Sequence, residues 1–213
     1  MKKYILFDND GVLVETEALY FEANVKALKE FFNLQLDFDT YMKIMAKGGT
    51  AWEIAQNIGI TEDKIQVARE QRDIYYQEFL QTREIEIDGV REILALLSKE
   101  YKMAIITTSR RVDFDLIHKD RGITEFMDFT LCVEEYKRAK PYPDPYLAGL
   151  EKFNAKKEET IVVEDSQRGL TSAFNAGIEC VIVKNEFTKT HDFSKADFFI
   201  DNLKELKKLL SSL

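Results

Sequence analysis

One stretch near the start of the sequence decides the fold: Tyr4-Ile5-Leu6-Phe7-Asp8-Asn9-Asp10-Gly11-Val12. Its first half has the length and composition of a buried strand, and two aspartates separated by one residue follow directly. In sheets of parallel strands flanked by helices, functional side chains gather beyond the carboxyl ends of the strands. The stretch therefore predicts a first buried strand that brings Asp8 and Asp10 to the functional edge of a sheet.

Further apolar runs of strand length follow along the chain, with helical patterns between most of them. The strand-like runs cover residues 103–107, 129–133, 161–163, 180–183 and 198–200. The helical patterns cover residues 90–99, 144–153, 166–176 and 203–210. This alternation predicts an α/β fold, with a Rossmann-like core in which helices cover both faces of a parallel sheet.

The stretch from residue 17 to about residue 83 has helical patterns throughout and little strand signal. Residues 17–32 place apolar side chains on one face, and Thr61 has the character of an N-cap before a helix at 64–80. Breaks are expected at 33–39 and 47–50. A helical block inserted after the first strand predicts an inserted α-helical bundle domain at 16–84, with a core domain formed by 1–15 and 85–213.

Composition and charge exclude several classes of protein. The sequence has 38 acidic and 30 basic residues and a net charge of −8, whereas a general nucleic-acid binder needs a basic face. No apolar run approaches the length of a membrane span, about 18 residues, and the run before Asp8 is too short for a signal peptide. We therefore expect a cytoplasmic protein without nucleic-acid or membrane partners, and a monomer is the default expectation.

Residues with useful chemistry follow four of the predicted strands. They are Asp8 and Asp10, then Thr107 and Thr108, then Lys140, then Glu164 and Asp165. Clustered carboxylates repel one another and need a cation, and carboxylate and carbonyl oxygens suit Mg²⁺. A phosphate beside such an ion needs further positive charge and donors, which Lys140 and the Thr107 hydroxyl can supply. A carboxylate can attack phosphorus, and a second carboxyl nearby can exchange the proton.

The order of these residues resembles that of the haloacid dehalogenase (HAD) superfamily, in the branch with a helical cap inserted after the first motif. The resemblance covers nearly the whole chain. The matching motifs are, in order, Asp8 to Val12, Thr107, Lys140-Pro141 and Glu164-Asp165. The resemblance implies that Asp8 is the nucleophile and Asp10 the acid and base.

The same resemblance implies a metal site and a phosphate site. Mg²⁺ would be held by the Asp8 carboxylate, the Asp10 carbonyl and Asp165, with Glu164 as a ligand or acting through water. Thr107 and Lys140 would hold the phosphate of a small phosphorylated metabolite.

Two positions depart from, or vary within, the family pattern. Glu15 stands where the family usually carries Asp, so a hinge contact can shift while the chemistry is expected to survive. Asn9 occupies the middle position of the first motif, which is usually apolar or aromatic. A substrate contact and a packing role are both open for Asn9.

Three further residues are candidates for contact with substrate. Thr108 and Arg110 follow the second predicted strand, where members of the family often place polar or basic residues near the phosphate. For these two residues, contact with substrate and the absence of such contact are equally open. Ser109, which lies between them, can equally cap the next helix. Lys47 lies between cap helices, where the family carries its substrate-specificity loop, although an ordinary helix–helix turn fits as well.

The choice of reaction depends on two positions. Dehalogenases and phosphonate-cleaving members of the superfamily lack the second aspartate, so Asp10 argues against both. Phosphonate-cleaving members also use a lysine of the cap, so Lys47 keeps that reaction open as an alternative. Sugar-phosphate mutases such as β-phosphoglucomutase keep all four motifs, but they carry a histidine in the first cap helix, where this sequence has Tyr20. A tyrosine cannot replace a histidine in proton transfer near neutral pH. The sequence therefore favours a phosphatase that forms an aspartyl-phosphate, with a mutase and a catalytically silent binding module as alternatives.

Overall fold

The structure, a computed structural model, describes residues 1–213. Its strands are β1 (Tyr4–Phe7), β2 (Lys102–Ile106), β3 (Phe129–Leu131), β4 (Thr160–Glu164), β5 (Glu179–Val183) and β6 (Phe198–Ile200). They form one sheet in the order β3-β2-β1-β4-β5-β6, and every neighbouring pair is parallel. The predicted fold class, a Rossmann-like parallel sheet with helices, is confirmed.

The helices lie between the strands and in one block after β1. They are α1 (Glu17–Phe32), α2 (Phe38–Ala46), α3 (Glu53–Asn57), α4 (Glu62–Thr82), α5 (Val90–Leu97), α6 (Arg111–His118), α7 (Asp144–Phe153), α8 (Gln167–Ala176) and α9 (Leu206–Leu210). Single 3₁₀ turns cover Thr124–Phe126, Val133–Glu135, Lys157–Glu159 and Leu203–Glu205. No helix combines the length and the apolar character that crossing a membrane requires.

The order of the strands reverses beside β1. This strand pairs with β2 on one side and with β4 on the other, so that Leu6 lies opposite both Ala104 and Val162. In open sheets of parallel strands, ligands bind beyond the carboxyl ends of the strands where the order reverses. Asp8 follows β1 and Asp165 follows β4, so both stand at this position.

Apolar side chains explain why the sheet forms and where its helices pack. Leu6 of β1 belongs to a buried cluster that also contains Tyr146 of α7 and Leu170 of α8. Gly149 lets α7 approach the sheet closely, because a Cβ atom there would lie 3.1 Å from a methyl carbon of Leu6. Phe7, which alternates with Leu6 along the strand, is equally buried, so both faces of the sheet are covered.

Two predicted elements differ from the structure. The strand predicted at 129–133 ends at residue 131, because Cys132 begins a 3₁₀ turn in which its N–H donates to Glu135 Oε2 at 2.9 Å. The helix predicted at 203–210 is divided into a 3₁₀ turn and α9. Its start is fixed by the side chain of Asn202, which accepts from the Lys204 N–H.

Residues 16–85 form a second compact unit made of α1 to α4, and residues 1–15 with 86–213 form the first. Within the second unit α1 packs along α4. Thr61 occupies the N-cap position of α4, although its side chain makes no capping hydrogen bond. The break predicted at 33–39 ends at Asp37, whose side chain caps α2 by accepting from the Thr40 N–H at 2.9 Å. A separately folding cap domain with the predicted boundaries stays a prediction.

Candidate active site

Asp8 and Lys140 form the centre of the site. Asp8 follows β1 directly, and its backbone N–H continues the sheet by donating to the carbonyl of Val163 at 2.8 Å. The Nζ atom of Lys140 lies 2.5 Å from Asp8 Oδ1, 2.7 Å from Glu164 Oε1 and 2.9 Å from the Ile106 carbonyl oxygen. The lysine is only 5% exposed. These three contacts use all the donors of its ammonium group and fix its position.

Two buried carboxylates compete for the single positive charge of Lys140. Burial raises the pKa of Asp8 to about 7, and the negative charge of Glu164 adds to this increase. Burial also acts to raise the pKa of Glu164, but Lys140 outweighs it and holds that pKa below its ordinary value. Burial acts to lower the pKa of Lys140, whereas the two carboxylates raise it above its ordinary value, so the lysine stays charged. The uncompensated negative charge therefore rests on Asp8.

Three carboxylates are close enough to face one cation. One oxygen atom each of Asp8, Glu164 and Asp165 lies within 4.8 Å of the others. Gly11 makes room for the Asp165 carboxylate, because its φ is +74° and a Cβ atom there would lie 2.1 Å from Asp165 Oδ2. Oxygen donors with excess negative charge are the ligands that Mg²⁺ requires, so these residues fit the predicted ion.

Glu164 is already engaged through both of its oxygens. Oε1 accepts from Lys140 and from the Tyr146 hydroxyl, each at 2.7 Å, and Oε2 accepts from the Ser166 hydroxyl at 3.0 Å. The side chain has no exposed surface. Direct ligation of a metal by Glu164 stays a prediction. These contacts favour the alternative in which Glu164 acts on the ion through a water molecule.

Ser109 connects Asp10 to the loop after β2. Its Oγ donates to Asp10 Oδ2 at 3.1 Å, and its backbone N–H donates to Thr107 Oγ1 at 3.0 Å. The sequence suggests a helix cap for Ser109, but Arg110 takes the N-cap position of α6. Ser109 therefore holds the predicted acid and base near the fully buried Thr107. Its place three residues beyond the end of β2 is the only sequence signal that could have identified it.

The three residues predicted to contact substrate have different surroundings. Thr108 Oγ1 accepts a hydrogen bond from Arg168 of α8 at 3.3 Å. Arg110 pairs with Asp113 through two hydrogen bonds, of 2.8 and 3.1 Å. Lys47 is exposed at the end of α2, in the second compact unit, where it lines a cavity of about 470 Å³. Contact with substrate stays a prediction for Thr108, Arg110 and Lys47.

Glu15 and Asp165 share a neighbour that the sequence does not reveal. Asn185, which follows β5, places its Nδ2 atom 3.3 Å from Glu15 Oε2 and 3.5 Å from Asp165 Oδ2. Glu15 is one methylene longer than the usual aspartate and reaches this amide. No local pattern marks Asn185, because both of its neighbours lie far away in the sequence.

Comparison with known proteins gives relatives over almost the whole chain. The chain is 31% identical over 185 residues to the phosphorylated carbohydrates phosphatase of Thermotoga maritima, which covers 82% of this chain and 82% of the relative. It is 24% identical over 216 residues to pyrophosphatase PpaX of Bacillus mycoides, which covers 98% of this chain and 97% of the relative.

A solved structure shares the fold of this chain, and a family model matches most of its sequence. CbbY from Rhodobacter sphaeroides, in complex with phosphate, has a TM-score of 0.83 at 24% identity and covers 97% of this chain and 96% of its own. It has the same fold. A family model described as haloacid dehalogenase-like hydrolase matches residues 5–183, which include Asp8, Lys140 and Asp165. The chain therefore belongs to the family of haloacid dehalogenase-like hydrolases, as its motifs predict.

Proposed function

We propose that this chain is a Mg²⁺-dependent phosphatase that hydrolyses a small phosphorylated metabolite through an aspartyl-phosphate intermediate. One observation carries the proposal. Asp8 stands at the end of β1 with Oδ1 2.5 Å from Lys140 Nζ, in a group of three carboxylates that can face one cation. The relatives named as a phosphatase and a pyrophosphatase support the same class of reaction.

In the first step, Asp8 takes the phosphoryl group from the substrate. Lys140 brings positive charge to the phosphate oxygens, and the Thr107 hydroxyl can donate to one of them. An oxygen of Asp8 forms a bond to phosphorus while the bond between phosphorus and the leaving oxygen breaks. Asp10 gives its proton to that oxygen, so the product leaves as an alcohol.

In the second step, water releases the phosphate. Asp10 takes a proton from a water molecule whose oxygen forms a bond to the phosphorus of the aspartyl-phosphate. The bond between phosphorus and Asp8 breaks, inorganic phosphate leaves and the Asp8 carboxylate is restored. The hydrogen bond of 3.1 Å from Ser109 keeps Asp10 in one position for both proton transfers.

The Mg²⁺ ion would be held by Asp8, the Asp10 carbonyl and Asp165, and Glu164 would act on it through a water molecule. Bound there, the ion offsets the repulsion between the Asp8 carboxylate and the substrate phosphate. Lys140 cannot do this alone, because it already compensates Glu164 through an ion pair of 2.7 Å.

Binding of Mg²⁺ should weaken as the pH falls through about 7. In the metal-free protein burial raises the pKa of Asp8 to about 7, so below that pH the carboxyl must lose a proton before it can bind the ion. The affinity should fall by at most about tenfold per pH unit, since one proton is involved. Isothermal titration calorimetry at pH 6, in two buffers of different ionisation enthalpy, should detect the released proton.

Asp8→Asn is the matched control for this titration, because it removes the group that releases the proton. At pH 8.5 the wild-type protein should release almost no proton, since Asp8 is then already ionised. Equal Mg²⁺ affinity at pH 6 and pH 8.5, without proton release at either, would contradict the placement of Asp8 in the metal site.

A sugar-phosphate mutase is the alternative on this scaffold, and the surroundings of Tyr20 argue against it. Its ring lies edge-on to Tyr76 at 5.1 Å, and the guanidinium of Arg72 lies 4.6 Å from its centre. Tyr20 is thus packed as an aromatic residue within the second compact unit. A phenol in this setting does not supply the proton transfer near neutral pH that a histidine provides.

A phosphate-release assay over a panel of phosphorylated sugars, sugar acids, hydroxy acids and pyrophosphate tests the proposed function. We expect Mg²⁺-dependent release from at least one member and none after treatment with EDTA. β-Glucose 1-phosphate belongs in the panel as the discriminating substrate. Glucose 6-phosphate appearing faster than free phosphate would assign the chain to the mutases. The identity of the metabolite, the monomeric state and the cytoplasmic location stay predictions.

A further inference from the structure

A buried polar pair lies directly behind the two aspartates of the first motif. Asn9, between Asp8 and Asp10, has no exposed surface, so it packs inside the protein instead of touching substrate. Its Oδ1 atom lies 2.7 Å from Nε2 of His118, the last residue of α6. His118 is also buried, and the two residues are far apart in the sequence.

Stability alone does not explain this pair. Asn9 Nδ2 and His118 Nδ1 are both buried without a hydrogen-bond partner, and such atoms are costly to bury. Two apolar side chains of similar shape would avoid that cost. Burial lowers the pKa of His118 to about 4, and nearby Arg121 adds to the decrease, so the imidazole is neutral near pH 7. Since Asn9 Oδ1 can only accept, Nε2 carries the ring proton and donates it.

The pair holds a turn that is already organised around Asn9. The backbone carbonyl of Asn9 accepts hydrogen bonds from the N–H groups of Leu13 and Val14, at 2.8 and 3.2 Å. The backbone of this turn therefore circles Asn9, whose side chain points to α6. Movement of the Asn9 side chain would move the backbone on which Asp8 and Asp10 are carried.

The segment that ends in His118 also contacts the next residue of the motif. Ser109, just before α6, donates to Asp10 Oδ2 at 3.1 Å, while His118 at the other end of α6 bonds to Asn9. The segment from Ser109 to His118 therefore bonds to two consecutive residues of the first motif: to Asn9 through His118 and to Asp10 through Ser109.

We propose that His118 is a positioning residue, which acts through Asn9 to hold Asp10 at the distance and angle that both proton transfers require. The inference rests on the proposed phosphatase function and adds to it a residue remote from the substrate. Small displacements of an acid and base reduce the rate of proton transfer strongly while leaving substrate binding nearly unchanged. The expected signature is therefore a change in kcat without a change in KM.

The first test compares His118→Leu with His118→Gln. The leucine variant removes the donor to Asn9, and kcat should fall by about tenfold or more while KM stays within about twofold. Glutamine carries an N–H donor near the position of Nε2, so His118→Gln should restore most of kcat. Ile117→Val is the matched control, since it removes a buried methyl group from the same helix and keeps the hydrogen bond from His118 to Asn9, and its kcat should equal that of the wild type.

The second test separates positioning from a purely structural role. In the double variant Asn9→Leu/His118→Leu no buried polar atom of the pair remains, so its midpoint of thermal unfolding should rise above that of His118→Leu. If the pair positions Asp10, kcat should stay low in this double variant despite the recovered stability. If the pair were only structural, kcat would return together with stability, and the inference would be overturned.

The remaining outcomes are distinguishable in the same experiments. An unchanged kcat in His118→Leu, with an active wild-type protein, would overturn the role of His118 and leave the phosphatase function intact. A wild-type protein that releases no phosphate from any member of the panel would overturn the proposed function, and the inference with it.

Discussion

Replacement of Asp8 by asparagine should abolish phosphate release and, at the same time, stabilise the metal-free protein above pH 7. Turnover should fall by at least about a thousandfold, because the nucleophile is lost. The stabilisation follows from the balance of charge. One positive charge, on Lys140, faces the two buried carboxylates of Asp8 and Glu164, so one negative charge stays uncompensated. Asparagine removes that charge and keeps an oxygen that can accept from Lys140 Nζ.

The pH dependence has a definite sign. Burial raises the pKa of Asp8 from 3.8 to about 7, so the folded metal-free protein holds this proton more tightly than the unfolded chain does. Its stability should therefore fall as the pH rises from about 4 through about 7, and Asp8→Asn should lack this decline. Each kcal/mol corresponds to about 2–4 °C in the midpoint of thermal unfolding for a chain of this size. Calorimetric scans in EDTA at pH 5 and pH 8 measure the difference.

Added Mg²⁺ provides the internal control. The ion should raise the unfolding midpoint of the wild-type protein at pH 8 and have little effect on Asp8→Asn. A variant that unfolds at a lower temperature than the wild type in EDTA at pH 8 would show that the carboxylate is needed to compensate Lys140. The charge balance described for the site would then be wrong.

Replacement of Lys140 by methionine should have the largest effect on stability of any single change at the site. It leaves Asp8 and Glu164 buried without a cation, and breaking a buried pair in this way costs about 3–5 kcal/mol. Phosphate release should also be lost, because the substrate phosphate loses its fixed positive charge. Urea unfolding followed by circular dichroism measures the loss of stability.

A second buried lysine serves as the matched control. Lys2 is nearly as buried as Lys140, but its carboxylate partner Glu179 is about half exposed and stays hydrated when the lysine is removed. Lys2→Met should therefore cost far less stability than Lys140→Met. Adding Glu164→Gln to Lys140→Met should recover part of the stability without restoring activity. Equal losses for the two lysine variants would contradict the account of the ion pairs.

Much of the site could be predicted because it depends on short runs of sequence. Apolar strands followed by polar residues indicate a parallel sheet, and the carboxyl ends of such strands meet at one edge. For this reason Lys140 comes within hydrogen-bonding distance of both Asp8 and Glu164, although these residues are 132 and 24 positions away from it in the sequence. The chemical logic of clustered carboxylates and one lysine could be inferred from residue types alone.

Other features depend on contacts that no local pattern contains. The sequence patterns do not predict α6, which has only eight residues and leaves one of its apolar side chains, Val112, exposed. The partners of Asn9 and Asp10 lie about a hundred positions away, at His118 and Ser109. Such pairs are determined by how the elements pack in the fold, which residue spacing does not show.

Trapping of the phosphoryl group on Asp8 tests the central proposal most directly. Asp10→Asn should stop the second step, since nothing then activates the water, while p-nitrophenyl phosphate needs no proton for its leaving group and allows the first step. After rapid acid quenching, peptide mass spectrometry should find one phosphoryl group on Asp8, with a matching burst of p-nitrophenol. A burst without phosphorylation of Asp8, or with the phosphoryl group on another residue, would contradict the aspartyl-phosphate mechanism.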